Sequence, residues 1–180
     1  MGHVARCDLP PSTLLETYRA QGSYVDCFAT NVEGEVILAS LVEAFYTSWL
    51  FKLERSLLQV VGGYVASDLH ARQLAAGDVE RFSAWRVEAR NISELLMTDV
   101  TGRTRSWFMV GGHEGAYAER AAPGETRLYF GSAVVPAKAN EARTAARMGL
   151  AFHALLPFHT LYSRCLLGAA QRRVVARRDA

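Results

Sequence analysis

The clearest change in the spacing of apolar residues along this chain is from helical to strand-like near residue 82. An arm of residues 1–22 comes first; it reads as irregular up to Pro10-Pro11, with a short helix possible from Ser12. Over residues 23–31, Val25, Cys27 and Ala29 alternate with Tyr24, Asp26, Phe28 and Thr30, which predicts a strand that Glu33-Gly34-Glu35 breaks. Leu38, Leu41, Val42 and Phe45 then recur at helical spacing, and Ser40 with Glu43 has capping-box spacing. Thr47-Ser48 interrupts this run. A second helix fits residues 49–61, with Leu50, Leu53, Leu57, Val60 and Val61 on its apolar face and Gly62-Gly63 as its stop. Ser67 caps a further helix over 68–76 that Gly77 ends.

Beyond residue 82 the alternation is strict. Residues 85–90 read WRVEAR, a strand; residues 94–100 and 103–110 form two more around a Thr101-Gly102 turn. A Gly-, Ala- and Pro-rich loop over 111–125 leads to a strand at 126–135, which Pro136 stops, and 137–147 reads as loop or loose helix. A long helix follows from Gly149 to about Ala176, with Pro157 either bending it or opening its second part. Its expected apolar stripe is Leu150, Ala154, Leu161, Cys165 and Gly168, widened by Phe152, Leu155, Leu156, Tyr162, Leu166 and Ala169.

Pairing across the turns sets Leu96 opposite Trp107, Thr98 opposite Arg105, Arg86 opposite Thr98 and Glu88 opposite Leu96. One sheet face then carries Val87, Ala89, Leu95, Met97, Ser106 and Phe108, with Trp85, Asp99 and Thr104 at its rim, and is the core face. The other carries Arg86, Glu88, Arg90, Glu94 and Arg105, with Leu96, Trp107 and Met109 among them. The fold class expected is α+β: an antiparallel sheet packed on a long C-terminal helix, as a single domain over 1–180.

The order of elements resembles the helix-grip fold of the START-like superfamily. The phrases AFYTSWLFKLER (44–55), RLYFGSAVVP (127–136) and LLPFHTLYSRCLL (155–167) look like those of a bacterial protein family of uncharacterised function, and the last resembles the ending of START-like domains. The resemblance implies a curved sheet wrapped around the last helix with a ligand cavity between them; it implies no catalytic residue. Five strands are read here where that family has six or seven, so strands lie hidden in 111–125 and 137–147, or the fold is a reduced or different α+β variant.

Composition narrows the function classes. Half of the 180 residues are apolar and the net charge is +2. Four arginines (172, 173, 177 and 178) sit in the last nine residues; without that tail, 16 basic face 17 acidic residues. No basic stripe remains to neutralise phosphates, so no nucleic-acid partner is expected. The tail itself reads as a solvated helix end. Cys7, Cys27 and Cys165 are too scattered for a metal motif and read as reduced thiols of a cytoplasmic protein. The start lacks an apolar signal segment, and the longest uncharged run, residues 148–163, is too short and polar to span a bilayer.

The candidate chemistry is sparse. His153 and His159 lie six residues apart on the last helix, which suits neither a shared face nor a metal pair, so no metal and no cofactor are expected. One of them lines a pocket, or both are structural. His113 reads as a solvent-facing loop residue. Asp99 is either an acid at a cavity mouth, with its pKa raised by desolvation, or a turn residue. Arg86, Arg105 and Glu88 read as a solvated ion-pair cluster. No phosphate-binding, nucleophile-elbow, zinc-protease or calcium-loop motif occurs. The reading that follows is a binder of a small apolar or amphipathic ligand between sheet and last helix. Its lining would come from Trp85, Val87, Met97, Asp99, Phe108, Phe152, His153, Leu156, His159 and Tyr162. The alternatives are an enzyme using the same cavity for acid–base chemistry, and an interaction protein or homodimer whose Trp107 and Tyr129 form a surface.

Overall fold

Strands β2 (Tyr24–Glu33) and β7 (Glu125–Val134) pair over ten residues and set the middle of the molecule. The computed structural model describes residues 2–64, 66–111, 122–135 and 142–177, with 61 and 142–158 described through their backbone alone. Around the central pair, β1 (Ala5–Arg6), β3 (Arg81–Phe82), β4 (Trp85–Arg90), β5 (Glu94–Asp99) and β6 (Thr104–Gly111) complete an antiparallel sheet. The described strands number seven, in the order β1-β2-β7-β6-β5-β4-β3. Both edge strands are two residues long, which leaves little ladder open to a foreign chain. The helices are α1 (Glu16–Ala20), α2 (Leu38–Tyr46), α3 (Trp49–Gly62), α4 (Asp68–Ala76) and α5 (Ala142–Ala176). The protein is therefore α+β, with the C-terminal helix packed on the sheet. Among the described residues, no helix is long and apolar enough to cross a membrane.

The two strands that periodicity missed are β1 and β3, each too short to show an alternation. Of the stretches expected to hide strands, 112–121 and 136–141 lie outside the described residues, and with them His113; from Ala142 on, the second is helix. Pro157 does not begin a helix, because α5 runs through it.

The register of β5 on β6 is as expected, with Leu96 opposite Trp107 and Thr98 opposite Arg105. Between β4 and β5 it shifts by one after Val87, so Ala89 meets Leu96 and Arg90 meets Leu95. A bulge of this kind turns later side chains to the other face. Ala89 leaves the helix-side core for the outer face. Arg90 makes the opposite move, and its guanidinium donates to the carbonyls of Leu74 (2.5 Å) and Ala75 (3.2 Å) in the last turn of α4. A cation there meets the negative end of the helix dipole.

The helix-side face holds the larger core. Leu95, Met97 and Phe108 are fully buried in it, and Phe45 of α2 stacks against Phe108 (centroids 4.8 Å apart) and Phe130 (4.7 Å). The outer face, expected to be solvated, carries a second core. Leu9 and Leu15 of the N-terminal arm cover Leu96, Trp107, Met109 and Tyr129 there. Trp107 and Tyr129 are fully buried, so they are not the partner surface that their position suggested. The buried Glu94 ties this layer together: it accepts from Trp107 Nε1 (2.8 Å) and from the Leu14 amide (2.8 Å).

Three helices depart from their patterns. Helix α2 starts at Leu38, ahead of the Ser40 capping box, because the Thr126 hydroxyl of β7 holds the Val36 amide (3.0 Å) and fixes the entry. Helix α3 leaves most of its expected apolar face in solvent: Leu53, Leu57 and Val60 are 61%, 63% and 85% exposed, while Leu50 packs partly against the core and the Val61 side chain lies outside the described residues. Ser48 caps it, and Lys52 and Arg55 bind Asp68 of α4 (2.6 and 2.9 Å); this rotation sends Phe51 and Glu54 inward instead. Helix α5 buries Leu166, Gly168 and Ala169 of the expected arc together with Leu167, Ala170 and Val174 outside it, and exposes Leu161 and Cys165. Its basic end is docked in part: Val174 is buried, Arg173 donates to Thr47 (2.7 Å) and Arg177 pairs with Glu43 (2.7 Å), while Arg172 is exposed and Arg178 lies outside the described residues.

Candidate functional site

Where β4, β6 and β7 face α5, the sheet and the helix do not close fully. A cavity of about 220 Å³, open on one side, lies between them. Phe45 and Tyr46 of α2 and Phe51 and Glu54 of α3 wall one side. Trp85, Thr104, Ser106, Phe130 and Ser132 come from the sheet, and His159, Tyr162, Ser163 and Leu166 from α5. A larger groove of about 530 Å³ lies at the far end of the sheet around Ile37, Ile92 and Val110. Its one described cation, Arg90, is spent on α4, so the polar chemistry converges in the smaller cavity.

Two polar clusters line it. In the first, the Tyr162 hydroxyl donates to Glu54 Oε2. Burial pushes the Glu54 carboxyl above the usual carboxylate range, and the Tyr162 bond offsets part of that rise. Burial also raises the Tyr162 hydroxyl, with the Glu54 charge adding to it. Tyr46 stands beside them, packed edge-on by Phe51 (4.8 Å) and Phe45 (5.5 Å). It is 1% exposed, and its hydroxyl has no hydrogen-bond partner among the described residues. An unsatisfied buried hydroxyl costs about 1–3 kcal/mol. Lys52 and Arg55, the cations nearest Glu54 in sequence, both point to Asp68.

The second cluster is Asp26, Ser132 and His159. Asp26 Oδ1 accepts from the Ser132 hydroxyl (2.7 Å) and amide (3.1 Å). His159 Nε2 lies 2.8 Å from Ser132 Oγ and 3.4 Å from Asp26 Oδ2. These are the residue types of a serine-hydrolase triad, but the order is different. A triad needs the serine on one ring nitrogen and the carboxylate on the other. Here both meet Nε2, and the serine proton is directed to the carboxylate, so Ser132 is not activated as a nucleophile. The arrangement instead anchors the imidazole by one nitrogen, with Nδ1 unbonded among the described residues.

Of the sequence candidates, Trp85, His159 and Tyr162 line the cavity. Met97 and Phe108 are fully buried in the core beside it, and Val87 packs against that core. The side chains of Phe152, His153 and Leu156 lie outside the described residues. Asp99 ends β5 at the β5–β6 turn; it does not itself line the cavity, although its cross-strand partner Trp85 and its hydrogen-bond donor Thr104 do. Its partial burial raises its pKa, but the Thr101 hydroxyl and the amides of Thr104 and Arg103 outweigh this and hold it below the usual range. It is a turn carboxylate rather than a cavity acid. Sequence reasoning missed Glu54, Tyr46, Asp26 and Ser132. Asp26 had a signal, being an acid in phase with the inward Phe28. Glu54 had one too, an acid inside an apolar helical run.

Arg105 borders the cavity, but its charge is engaged with the Glu88 carboxylate (2.6 Å), the Tyr18 hydroxyl (2.9 Å) and the Tyr18 ring. The expected ion-pair cluster is thus present in part. No group of three potential metal ligands occurs among the described residues. No family model matches the chain, and no curated protein matches it. Among solved structures, the crystal structure of CalU16 from Micromonospora echinospora is similar at a TM-score of 0.31 and 11% identity, over 98% of this chain and 94% of that one. A likeness that slight carries no argument about either fold family or function.

Proposed function

We propose that the protein binds a small amphipathic molecule in the cavity between the sheet and α5. The observation that carries this reading is the Tyr46 hydroxyl, buried, unpaired among the described residues and lining an apolar hollow next to a carboxyl of raised pKa. Binding sites are concave and mostly apolar with a few placed polar groups, and this one has that character. Its volume lies below the usual 300–1,000 Å³ or so, which suits a ligand of one or two rings. A START-like, helix-grip ancestry and a cytoplasmic setting fit this reading, the first through the order of elements and the second through the reduced thiols.

The test is a neutral two-ring fluorescent probe, 6-propionyl-2-(dimethylamino)naphthalene, titrated into the protein and into Ser106→Phe, which fills the cavity. We expect saturable fluorescence enhancement in the native chain and its loss in the variant at an unchanged melting temperature. No enhancement, or equal enhancement in both, refutes the reading. The His159 arrangement favours a second one: an imidazole anchored at Nε2 leaves Nδ1 to face a bound molecule, with the Glu54 carboxyl also on the lining. Turnover lost in His159→Gln with ligand affinity retained would identify it.

A further inference from the structure

The signs of the charges around the cavity narrow what enters it. Glu54 has one described partner, the Tyr162 hydroxyl, and no cation within ion-pair distance among the described residues. Its Oε1 accepts no hydrogen bond there. Behind the opposite wall, the Asp26 side chain is fully buried. The basic side chains of the lining are Arg105 and His159. Arg105 is turned to Glu88 and Tyr18, and His159 is held against Asp26 and Ser132. An anionic ligand would therefore meet acids without a matching cation, at the cost that burying an unpaired charge carries. A cationic ligand would find the reverse. The Glu54 carboxylate would gain the ion pair it lacks, and the raised pKa that burial imposes would fall. The Tyr46 oxygen would accept an N–H and lose its orphan status. The rings of Tyr46, Phe51 and Tyr162, which line the cavity with Glu54, offer π-faces to the same cation.

We propose that the cavity takes a protonated amine on an apolar body of about one ring, with the ammonium group between Glu54 and the Tyr46 hydroxyl and the ring toward Trp85 and Phe130. This rests on the ligand-binding reading above and adds the class of ligand. It distinguishes the site from a pocket for fatty acids, other carboxylates or phosphate esters.

Three probes of nearly one shape test it: phenethylamine, 2-phenylethanol and 3-phenylpropanoate, titrated by ligand-observed NMR at pH 8. A charge-assisted bond exceeds a neutral one by an amount worth about tenfold in affinity. We expect phenethylamine to bind about tenfold tighter than 2-phenylethanol, with 3-phenylpropanoate weakest. In Glu54→Gln the amine should fall to the level of the alcohol while the alcohol is unchanged. If the alcohol or the carboxylate binds the native protein as tightly as the amine, the amine assignment fails and the cavity reading stands. If none of the three binds, the cavity reading itself fails. The comparison of ligands on the native chain is decisive even if the variant does not fold.

Discussion

Leu15 and Leu57 exchange the importance that their surroundings in the sequence suggest, and a pair of substitutions measures this. Leu15 lies in an arm with no strong pattern, yet it is fully buried in the outer core. Its Cδ2 sits 2.9 Å from where a Cβ on Gly131 would be, which shows how closely it seats on the sheet. Truncating a buried leucine costs about 2–5 kcal/mol, the upper part when the site cannot collapse. Here the floor is a strand and the neighbours are the Trp107 and Tyr129 rings, so collapse is limited. At about 3 kcal/mol, and about 2–4 °C per kcal/mol for a chain of this size, Leu15→Ala should lower the melting temperature by roughly 6–12 °C. Leu57 belongs to an apolar run on α3 but is 63% exposed. Leu57→Ala should stay within about 0.5 kcal/mol of the native protein. Urea unfolding followed by far-UV circular dichroism and by tryptophan emission gives both values. The two probes should coincide, because Trp107 lies under the arm. Leu15→Ala costing under about 1 kcal/mol, or Leu57→Ala costing as much as Leu15→Ala, would refute the two-core account.

Other consequences are open to test. Glu54→Gln should stabilise the empty protein at pH 8: the raised carboxyl pKa makes ionisation a cost that grows as pH climbs from the model-peptide value of 4.5 through the folded value. The gain should shrink toward zero below pH 4.5, seen by urea unfolding across pH, and a pH-independent gain would contradict it. Cys7 and Cys27 are paired across β1 and β2 with their sulfurs 3.3 Å apart and the Cys7 amide bonded to the Cys27 carbonyl (3.0 Å). Diamide should oxidise them to a disulfide, detected by alkylation after unfolding as the loss of two sites in the native sequence and of none in Cys7→Ser. Cys165 should alkylate under both conditions, since it is exposed. Glu94→Ala strands the Trp107 indole and the Leu14 amide, and should cost about 2–4 kcal/mol, well above the effect of Glu88→Ala.

Much of the framework was legible because it rests on local signals. The cap at Ser67, the Gly77 stop, the strand alternation and the β5–β6 register each depend on residues a few positions apart, and each appears as expected. What was not legible depends on partners distant in the chain. Trp107 reads as exposed until the arm is laid over it. The α3 stripe reads as buried until Asp68 draws Lys52 and Arg55 to its side. The Ala89–Arg90 inversion needs the bulge, which leaves no mark in a strictly alternating sequence. The site suffered most. Its members come from β2, α2, α3, β7 and α5; Glu54 stands out only as an acid inside an apolar helical run, and Ser132 has no feature that marks it out before those elements meet.

The union of β2 with β7 also sets when this protein can fold. Asp26 and Ser132 touch although 106 residues separate them. During synthesis the first long strand therefore leaves the ribosome well before its partner exists, and the meander β4–β6 forms with one flank open. In that interval Trp107 and Met109 lack their β7 partners, Gly131 and Tyr129. Long-range closure of this kind is slow, and unpaired edges with apolar faces are where nascent chains associate wrongly. Low temperature, slow translation or a holding chaperone should thus raise the soluble yield of this chain more than any change to its surface.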